Sequence, residues 1–303
     1  METTEQITSE KILQQSYASK QKGLVRPTQT IQDLDELRSY QLRKRKEFEQ
    51  QLNKNRLNFG QWLRYAKWEA QENHDFERAR SIYERALDVN IQHIPFWVHY
   101  IQFELVHKAI NHARNLLDRA TTTLPRVNKL WFLYVQTEET LKNYSMVRKI
   151  FDRWLSWHPD NSAWDAYINF EIRYNEVENA RNIFIKYVRH APGPQTWLKW
   201  VEFEMDQANN IGNIRYVFEL AADKLISSHQ PVTDIISKWT NWEVSLQEYE
   251  RARAIYQLLI QEESQIKLLK QERTAVYNSF TEFEKVYGDK STIESSVVVK
   301  RKL

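Results

Sequence analysis

Some residue pairs in this sequence could carry acid–base or metal chemistry, but their spacing argues against both. Neighbours such as Glu138 and Glu139 point about 100° apart on a helix, so they do not share one proton site. His107 and His112 are five residues apart, whereas two ligands on one helical face need a spacing of four. Cysteine is absent, which excludes thiolate zinc sites and cysteine nucleophiles. We therefore predict no catalytic residue, no cofactor and no metal.

One charge cluster has the composition of a phosphate-binding segment. The run Arg43, Lys44, Arg45 and Lys46 precedes Phe48 on a predicted helix. Aligned to the repeats described below, Lys46 takes the position of a recurring Arg, so the segment resembles a degenerate second helix that caps the array. Three interpretations stay open: a solvated basic face, a contact to RNA or a partner, and a nuclear import signal.

A Glu and an Arg recur along the chain at a nearly fixed distance. An active site is needed once, so a pair that appears six times is predicted to be structural. We predict an ion pair inside each helical hairpin, or a hydrogen bond from the Arg to a backbone carbonyl. The recurring pairs are Glu69 and Arg80, Glu104 and Arg114, Glu138 and Arg148, Glu171 and Arg181, Glu204 and Arg215, and Glu243 and Arg253.

Each Glu ends a pattern with an aromatic residue at every third position, which marks one helical face. The leading residues are 35, 34, 33, 33, 39 and 41 residues apart. Such stripes are typical of core packing more than of base stacking. The leading residues are Trp62, Trp97, Trp131, Trp164 and Trp197, followed by Ile236 (with Trp239 three residues on) and, in a partial seventh copy, Tyr277.

Each Arg belongs to a second amphipathic pattern, of the type Ala79, Ile82, Tyr83 and Ala86. Nine or ten residues separate the Glu from the first residue of this pattern, which leaves room only for a tight turn. Two antiparallel helices therefore form one hairpin. A hairpin alone cannot bury both faces, so the fold class is predicted as all-α, a right-handed superhelical solenoid of stacked hairpins.

Composition agrees with a helical protein. The 303 residues include only 5 Gly and 7 Pro, with 11 Trp, 15 Tyr and 13 Phe. The 43 basic and 40 acidic residues give a net charge of +3, too near balance to predict nucleic-acid binding from bulk charge. No apolar run is long enough for a membrane span, and the polar N-terminus does not resemble a signal peptide.

Three segments are predicted. Residues 1–26 form a polar tail that becomes ordered on docking, 27–58 a capping helical half repeat, and 59–303 an array of six complete repeats with a partial seventh. Lys300-Arg301-Lys302-Leu303 echoes the basic run near residue 44, as if another helix began there. We expect the chain to be the N-terminal portion of a longer protein.

The two patterns together resemble the half-a-tetratricopeptide (HAT) repeat over residues 62 to about 284. A closer resemblance, to the crooked-neck-like splicing factors, rests on stretches that include Tyr65-Ala66-Lys67-Trp68-Glu69, Ala79 to Val89, Thr122 to Asn128, Tyr167 to Tyr174 and Phe283 to Asp289. It spans essentially the whole chain in collinear order.

The resemblance implies a non-enzymatic scaffold of the spliceosome that acts in the nucleus. The implied partners are the Myb-like splicing factor, a second HAT-repeat protein, other NineTeen-complex subunits and the small nuclear RNA core, with no membrane and no small-molecule substrate. Other possibilities are a HAT scaffold of 3′-end cleavage or ribosomal RNA maturation, a helical-repeat adaptor outside RNA biology, and a prenyltransferase α subunit. The last needs a recurring Trp-x-x-Arg element, and Trp62-Leu63-Arg64-Tyr65 does not recur.

Overall fold

The computed structural model describes residues 8–21, 33–208, 210–260, 270–289 and 292. Every regular element in this part of the chain is helical. The helices are α1 (Ser9–Gln21), α2 (Leu34–Lys54), α3 (Phe59–Gln71), α4 (Phe76–Val89), α5 (Ile94–Val106), α6 (Ile110–Thr123), α7 (Asn128–Thr140), α8 (Tyr144–Leu155), α9 (Asn161–Arg173), α10 (Val177–His190), α11 (Pro194–Phe203), α12 (Ile211–Ser227), α13 (Thr233–Ser245), α14 (Tyr249–Ile260) and α15 (Lys270–Tyr287). A π-helical turn, Glu204–Ala208, follows α11.

The helices alternate as the two sequence patterns predict. The odd-numbered helices α3 to α13 carry the aromatic pattern and are the A helices of repeats 1 to 6; the even-numbered helices α4 to α14 carry the Arg pattern and are the B helices. α2 is a half repeat before them and α15 an A helix after them. The fold class, an all-α helical-repeat solenoid, is confirmed, whereas the right-handed superhelix stays a prediction.

The chain divides into two compact units, Met1–Leu116 and Leu117–Leu303, with the boundary inside α6. In the first unit α3 packs on α2 and α4, and α4 packs on α5. In the second unit each helix from α7 to α15 packs on the next, and α11 also packs on α13, as α13 does on α15. The A helices α9, α11 and α13 therefore each touch a B helix on both sides, and α3 lies between α2 and α4, which a hairpin by itself could not provide.

The N-terminal tail contains the helix α1. Its apolar side chains Ile12, Leu13 and Tyr17 are all more than half exposed. Residues 1–7, 22–32 and the basic run at 300–303 lie outside the described part of the chain.

The turn from A to B helix is built the same way in repeats 2, 3, 4 and 6. In repeat 3, Asn143 N–H donates to the Glu138 carbonyl at 3.0 Å and Lys142 N–H to Glu139 at 2.9 Å, the two bonds of a Schellman motif. The residue at the left-handed position is Lys108, Lys142, Asn175 or Gln247, with φ between 58° and 63°. A motif that usually takes glycine is thus made without it, in keeping with the low glycine content.

Repeat 5 departs from this pattern. Its A helix ends at Phe203 and continues as the π-helical turn Glu204–Ala208. Ile214 follows Glu204 by ten positions, whereas the corresponding distance in repeats 2, 3, 4 and 6 is nine. A π-helical turn holds one extra residue, so it accommodates this difference.

The leading tryptophans belong to the core, because each lies on the buried face of its A helix. Trp62, Trp97, Trp131, Trp164 and Trp197 are between 0% and 6% exposed. Side chains this deeply buried are not accessible to a nucleobase, so the packing interpretation of the stripe is the one the structure supports. Trp239, at the second position of repeat 6, is half-buried and stacks on Phe218 at 5.5 Å.

Loop length decides whether the leading indole is hydrogen bonded. Four residues join the B helix to the next A helix before repeats 1, 2 and 3. There the indole N–H donates to a loop carbonyl six residues earlier: Trp62 to Arg56, Trp97 to Ile91 and Trp131 to Pro125, at 2.7–2.9 Å. The loops before repeats 4 and 5 have five and three residues, and the indoles of Trp164 and Trp197 have no acceptor among the described residues.

None of the helices that the structure describes combines the length and the apolar character needed to cross a membrane.

Candidate functional site

The recurring Glu and Arg do pair, but not within one hairpin as the sequence predicted. Glu69 binds Arg45 and not Arg80, whereas Arg80 binds Glu104 of the following repeat. The prediction of a pair inside each hairpin is therefore wrong. The physical reason is that Glu and Arg of one hairpin face different neighbours: the A helix presents its Glu to the preceding B helix.

Six such pairs lie within the two units, and we call them the ion-pair ladder. Each Arg donates through both Nε and Nη2 to the two oxygens of one carboxylate, at 2.7–3.0 Å in five pairs and at 2.7 and 3.4 Å in the last. The pairs are Arg45–Glu69, Arg80–Glu104, Arg148–Glu171, Arg181–Glu204, Arg215–Glu243 and Arg253–Glu284.

Burial makes the ladder a structural requirement. The carboxylate side chains are at most 2% exposed, while the Arg side chains keep 15–33% exposure. An isolated buried carboxylate is costly, and the planar guanidinium is the group that compensates it with two parallel hydrogen bonds. The hydrogen bond to Glu104 is the main cause of a raised pKa at Arg80, and Glu171 does the same for Arg148.

Aromatic stacking runs across the same boundaries. Tyr83 of repeat 1 stacks on Tyr100 of repeat 2, with ring centroids 4.7 Å apart and planes 3° apart. Phe151 stacks on Tyr167 in the same way at 4.5 Å, and Phe184 on Trp200 at 5.9 Å. These three boundaries therefore each carry a buried ion pair and a ring stack, which fix how the hairpins meet there.

The basic run on α2 contains the first Arg of the ladder. Arg45 binds Glu69, and Phe48 stacks on Tyr65 at 4.9 Å, as Tyr83 does on Tyr100. Arg45, and not Lys46, therefore takes the recurring Arg position; the sequence alignment was one residue out of register. The sequence register of α2 is ambiguous because basic residues lie on both sides of Arg45.

The other members of the run lie outside the ladder. Lys44 forms an ion pair with Glu47 on the same helix at 2.9 Å, and Arg43 lies over the Tyr40 ring at 5.6 Å. Lys46 is exposed. An RNA or partner contact by Arg43, Lys44 or Lys46 stays a prediction, and Arg45 is no longer a member of that set.

A surface groove that the sequence analysis missed lies in the second unit. α10 and α12 form its two walls, and Trp197 and Trp200 of α11 contribute to its lining. Its volume is about 1010 Å³. The signals that could have pointed to it are the three-residue loop 191–193 and the ten-residue spacing after Glu204, which set repeat 5 apart from its neighbours.

No group of three or more His, Asp or Glu side chains in the described ranges has the arrangement of a metal site. The titratable residues of the six pairs are bound to each other in the ladder. The described residues instead form surfaces for contact, namely the exposed faces of fixed helices and the groove between two of them.

Comparison with protein families agrees with this architecture. The sequence model of the pre-mRNA-splicing factor Syf1/CNRKL1 N-terminal HAT repeat matches residues 44–193, and that of the PRP39 N-terminal HAT repeat matches residues 147–282. The chain is a HAT-repeat protein. The two matches overlap and together extend from the half repeat α2 into α15.

Individual relatives of this HAT-repeat protein carry the same name. Pre-mRNA-splicing factor CLF1 of Debaryomyces hansenii is 63% identical over 98% of the chain and 43% of the relative. CLF1 of Candida albicans is 57% identical over 98% of the chain and 44% of the relative. The chain thus spans less than half the length of these relatives. YrrB, a TPR protein of solved structure, is 14% identical over 58% of the chain and 91% of YrrB, but its TM-score of 0.31 carries no argument.

Proposed function

We propose that this HAT-repeat protein is a scaffold in pre-mRNA splicing, one that holds other splicing proteins on its helical surface. The observation that carries the proposal is the collinear match over 98% of the chain to proteins named as pre-mRNA-splicing factors. The ladder supports it, because bidentate ion pairs at repeat boundaries keep the exposed helix faces in fixed positions.

The finer assignments belong to the same proposal. We place the chain in the nucleus, in the NineTeen complex, with the Myb-like splicing factor, a second HAT-repeat protein and the small nuclear RNA core as its partners. Because the chain spans 43–44% of its relatives, these partners concern a protein of which it resembles the N-terminal part.

We further propose that the chain acts without catalysis of its own. The support is chemical: the recurring groups able to act as acid or base are buried carboxylates bound at both oxygens by guanidinium groups. A general acid or base must reach a substrate proton within hydrogen-bond distance, and these oxygens are already occupied.

The test is a tagged purification from nuclear extract at moderate salt, with bound proteins identified by mass spectrometry and bound RNA by sequencing. Recovery of spliceosomal small nuclear RNAs together with NineTeen-complex proteins supports the proposal. Recovery of polyadenylation factors or pre-ribosomal components instead assigns the chain to another RNA-processing complex, and RNA-free partners assign it to an adaptor role outside RNA biology.

An RNase-treated arm separates protein contacts from RNA bridges. A variant with Arg43, Lys44 and Lys46 changed to Ser tests the basic run, with Arg45 kept because it binds Glu69. A matched control changes the exposed Lys67, Lys129 and Lys149 to Ser. A direct RNA contact predicts loss of RNA in the first variant only, whereas equal recovery in both assigns the run to a solvated face.

A further inference from the structure

We propose that the groove between α10 and α12 binds one amphipathic helix of a partner protein, with acidic residues at the end of that helix that meets Arg189 and Lys224. The proposal rests on the scaffold function above. It specifies where one partner binds and which types of side chain that partner presents.

The dimensions of the groove fit a short helix. On α10 the lining residues run from Glu178 to Arg189, and on α12 from Asn213 to Ser227. At 1.5 Å per residue these walls are about 16 and 21 Å long. That length matches three to four turns of a bound helix, the usual size of an amphipathic helix laid in a groove between two others.

Apolar surface is available in the middle of the groove. Ile185 on one wall is 39% exposed and Tyr216 on the other is 62% exposed, and Leu220 lies one turn further along α12. Trp197 and Trp200 also contribute to the lining, but at 2% and 5% exposure they offer little area to a ligand. A ligand that covers Ile185, Tyr216 and Leu220 removes apolar area from water, which is the main favourable term in such contacts.

Charge is separated along the groove, and this determines the type of helix. Arg189 and Lys224 line it near the C-terminal ends of α10 and α12, and neither has a carboxylate within 4 Å among the described residues. At the opposite end Glu178 binds Arg181 at 2.5 Å, and Arg181 also binds Glu204. The cations that lack a carboxylate partner therefore lie at one end only, where acidic side chains of a ligand complement them.

The same features favour protein over RNA. A nucleic-acid strand carries a negative charge at every step and needs a continuous basic track. This groove has a carboxylate, Glu178, at one end and apolar side chains in the middle. A helix with one acidic end and one apolar face satisfies all three parts of the groove.

The first experiment identifies the occupant. Tyr216 is replaced by photo-reactive p-benzoylphenylalanine, and the tagged chain is irradiated in nuclear extract. The same substitution at Lys186, exposed on α10 outside the groove, is the control. We expect position 216 alone to cross-link to one protein segment with an apolar face and acidic residues at one end. Cross-links to RNA, equal cross-links at both positions, a segment without acidic residues, or no cross-link at position 216 would overturn the proposal.

The second experiment tests the charge pairing with a synthetic peptide of the cross-linked segment. The double variant R189E/K224E is expected to bind it at least about tenfold more weakly, and a peptide with its acidic residues changed to Lys should recover the loss. R189S/K224S gives a smaller loss in the same direction, and K186E none. Equal affinity of the wild type, R189E/K224E and K186E would overturn the proposal, with thermal melting used to verify that each variant is folded.

Failure of this inference is distinguishable from failure of the scaffold function. If R189E/K224E still recovers spliceosomal proteins and RNAs while its peptide affinity is unchanged, the groove assignment is wrong and the scaffold function stands. If the wild type recovers no splicing component, the scaffold function itself is wrong.

Discussion

Repeat 3 and repeat 5 carry the same sequence pattern and are built differently. In repeat 3 the leading Trp131 donates to the Pro125 carbonyl, and the turn after α7 is a Schellman motif with Lys142 at its left-handed position. In repeat 5 the indole of Trp197 has no acceptor among the described residues, and a π-helical turn replaces the motif. Both repeats take part in the ladder, because Arg148 of repeat 3 binds Glu171 of repeat 4 and Arg215 of repeat 5 binds Glu243 of repeat 6.

The difference shows which features the repeat needs and which it can vary. The ion pair and the ring stack recur in both regions, so they hold the hairpins together. The indole hydrogen bond and the turn follow loop length, and both change where one residue is added or removed. The groove lies beside the irregular repeat, which is consistent with surface shape being set by loops while boundaries are set by the ladder.

The largest effect is expected from the ladder. Arg148→Met leaves Glu171 buried without its cation, and we expect the free energy of unfolding to fall by about 3–5 kcal/mol. Arg181→Met should cost a similar amount, because Glu204 is equally buried beside the π-helical turn. Urea denaturation of both variants measures this. A marked difference between them would show that the turn, and not the ladder, governs the boundary.

A matched control separates charge from packing. The double variant R148M/E171M removes both charges, so it should recover much of the loss seen in R148M. If the double variant is no more stable than the single one, the cost lies in lost packing and the ladder explanation is wrong.

Alkaline pH should act on repeats 1 to 4 more than on repeat 5, which has Trp200 where they have Tyr. Burial raises the pKa of Tyr65 to about 12 and that of Tyr83 to about 12, with nearby Glu side chains adding to the effect. A raised pKa in the folded state means that stability is present below pH ~10 and is lost as the pH rises toward 12. The free energy of unfolding, measured by urea denaturation across this pH range, should fall in the wild type and fall less steeply in Y65F. An unchanged slope in Y65F would contradict this.

The indole hydrogen bond gives a smaller difference. Trp131→Phe removes a buried donor and leaves the Pro125 carbonyl without it, whereas Trp197→Phe removes no hydrogen bond. We expect the first to cost about 1 kcal/mol more than the second. Chemical denaturation of the two variants tests this, and slower exchange of the Trp131 indole proton in NMR is the independent measurement. Equal costs would remove loop length as an explanation of the contrast.

The smallest effect concerns the turns. Lys142 has φ of 58°, so Lys142→Gly should stabilise the protein by about 0.5–1 kcal/mol. Asp206→Gly, inside the π-helical turn, should instead destabilise it by about the same amount, since glycine is unfavourable inside a helix. Thermal melting of both variants shows whether each melting temperature rises or falls. A shift in the same direction for both would contradict the proposed difference between the two turns.

The sequence predicts the hairpins well because the helix face that packs against neighbouring helices is the face that carries the periodic apolar residues. Trp62 and its equivalents mark the buried face of each A helix, and the tight turns follow from nine or ten residues between patterns. The partner of each Glu was not predictable from constant spacing. The constant interval reflects the turn inside a hairpin, whereas the true pairs are 23 to 31 residues apart, because the loops between hairpins vary without disturbing the contact.

The groove illustrates a second limit. Arg189, Lys224 and Tyr216 lie on helices whose patterns look ordinary, and no short motif links them. They share a surface because two B helices flank a short A helix, which depends on a three-residue loop and one extra turn residue. The segment boundaries at residues 26 and 58 stay a prediction.

The ladder has a consequence for how such arrays change over evolutionary time. Each hairpin carries an acceptor for the hairpin before it and a donor for the hairpin after it, in the same geometry at each of the six boundaries described. When a hairpin is duplicated or deleted, the hairpins that become neighbours can therefore pair through the same guanidinium and carboxylate. No new set of contacts is needed at that boundary. Arrays of this kind can lengthen or shorten by whole hairpins, whereas the gain or loss of a single helix leaves a buried carboxylate without its guanidinium.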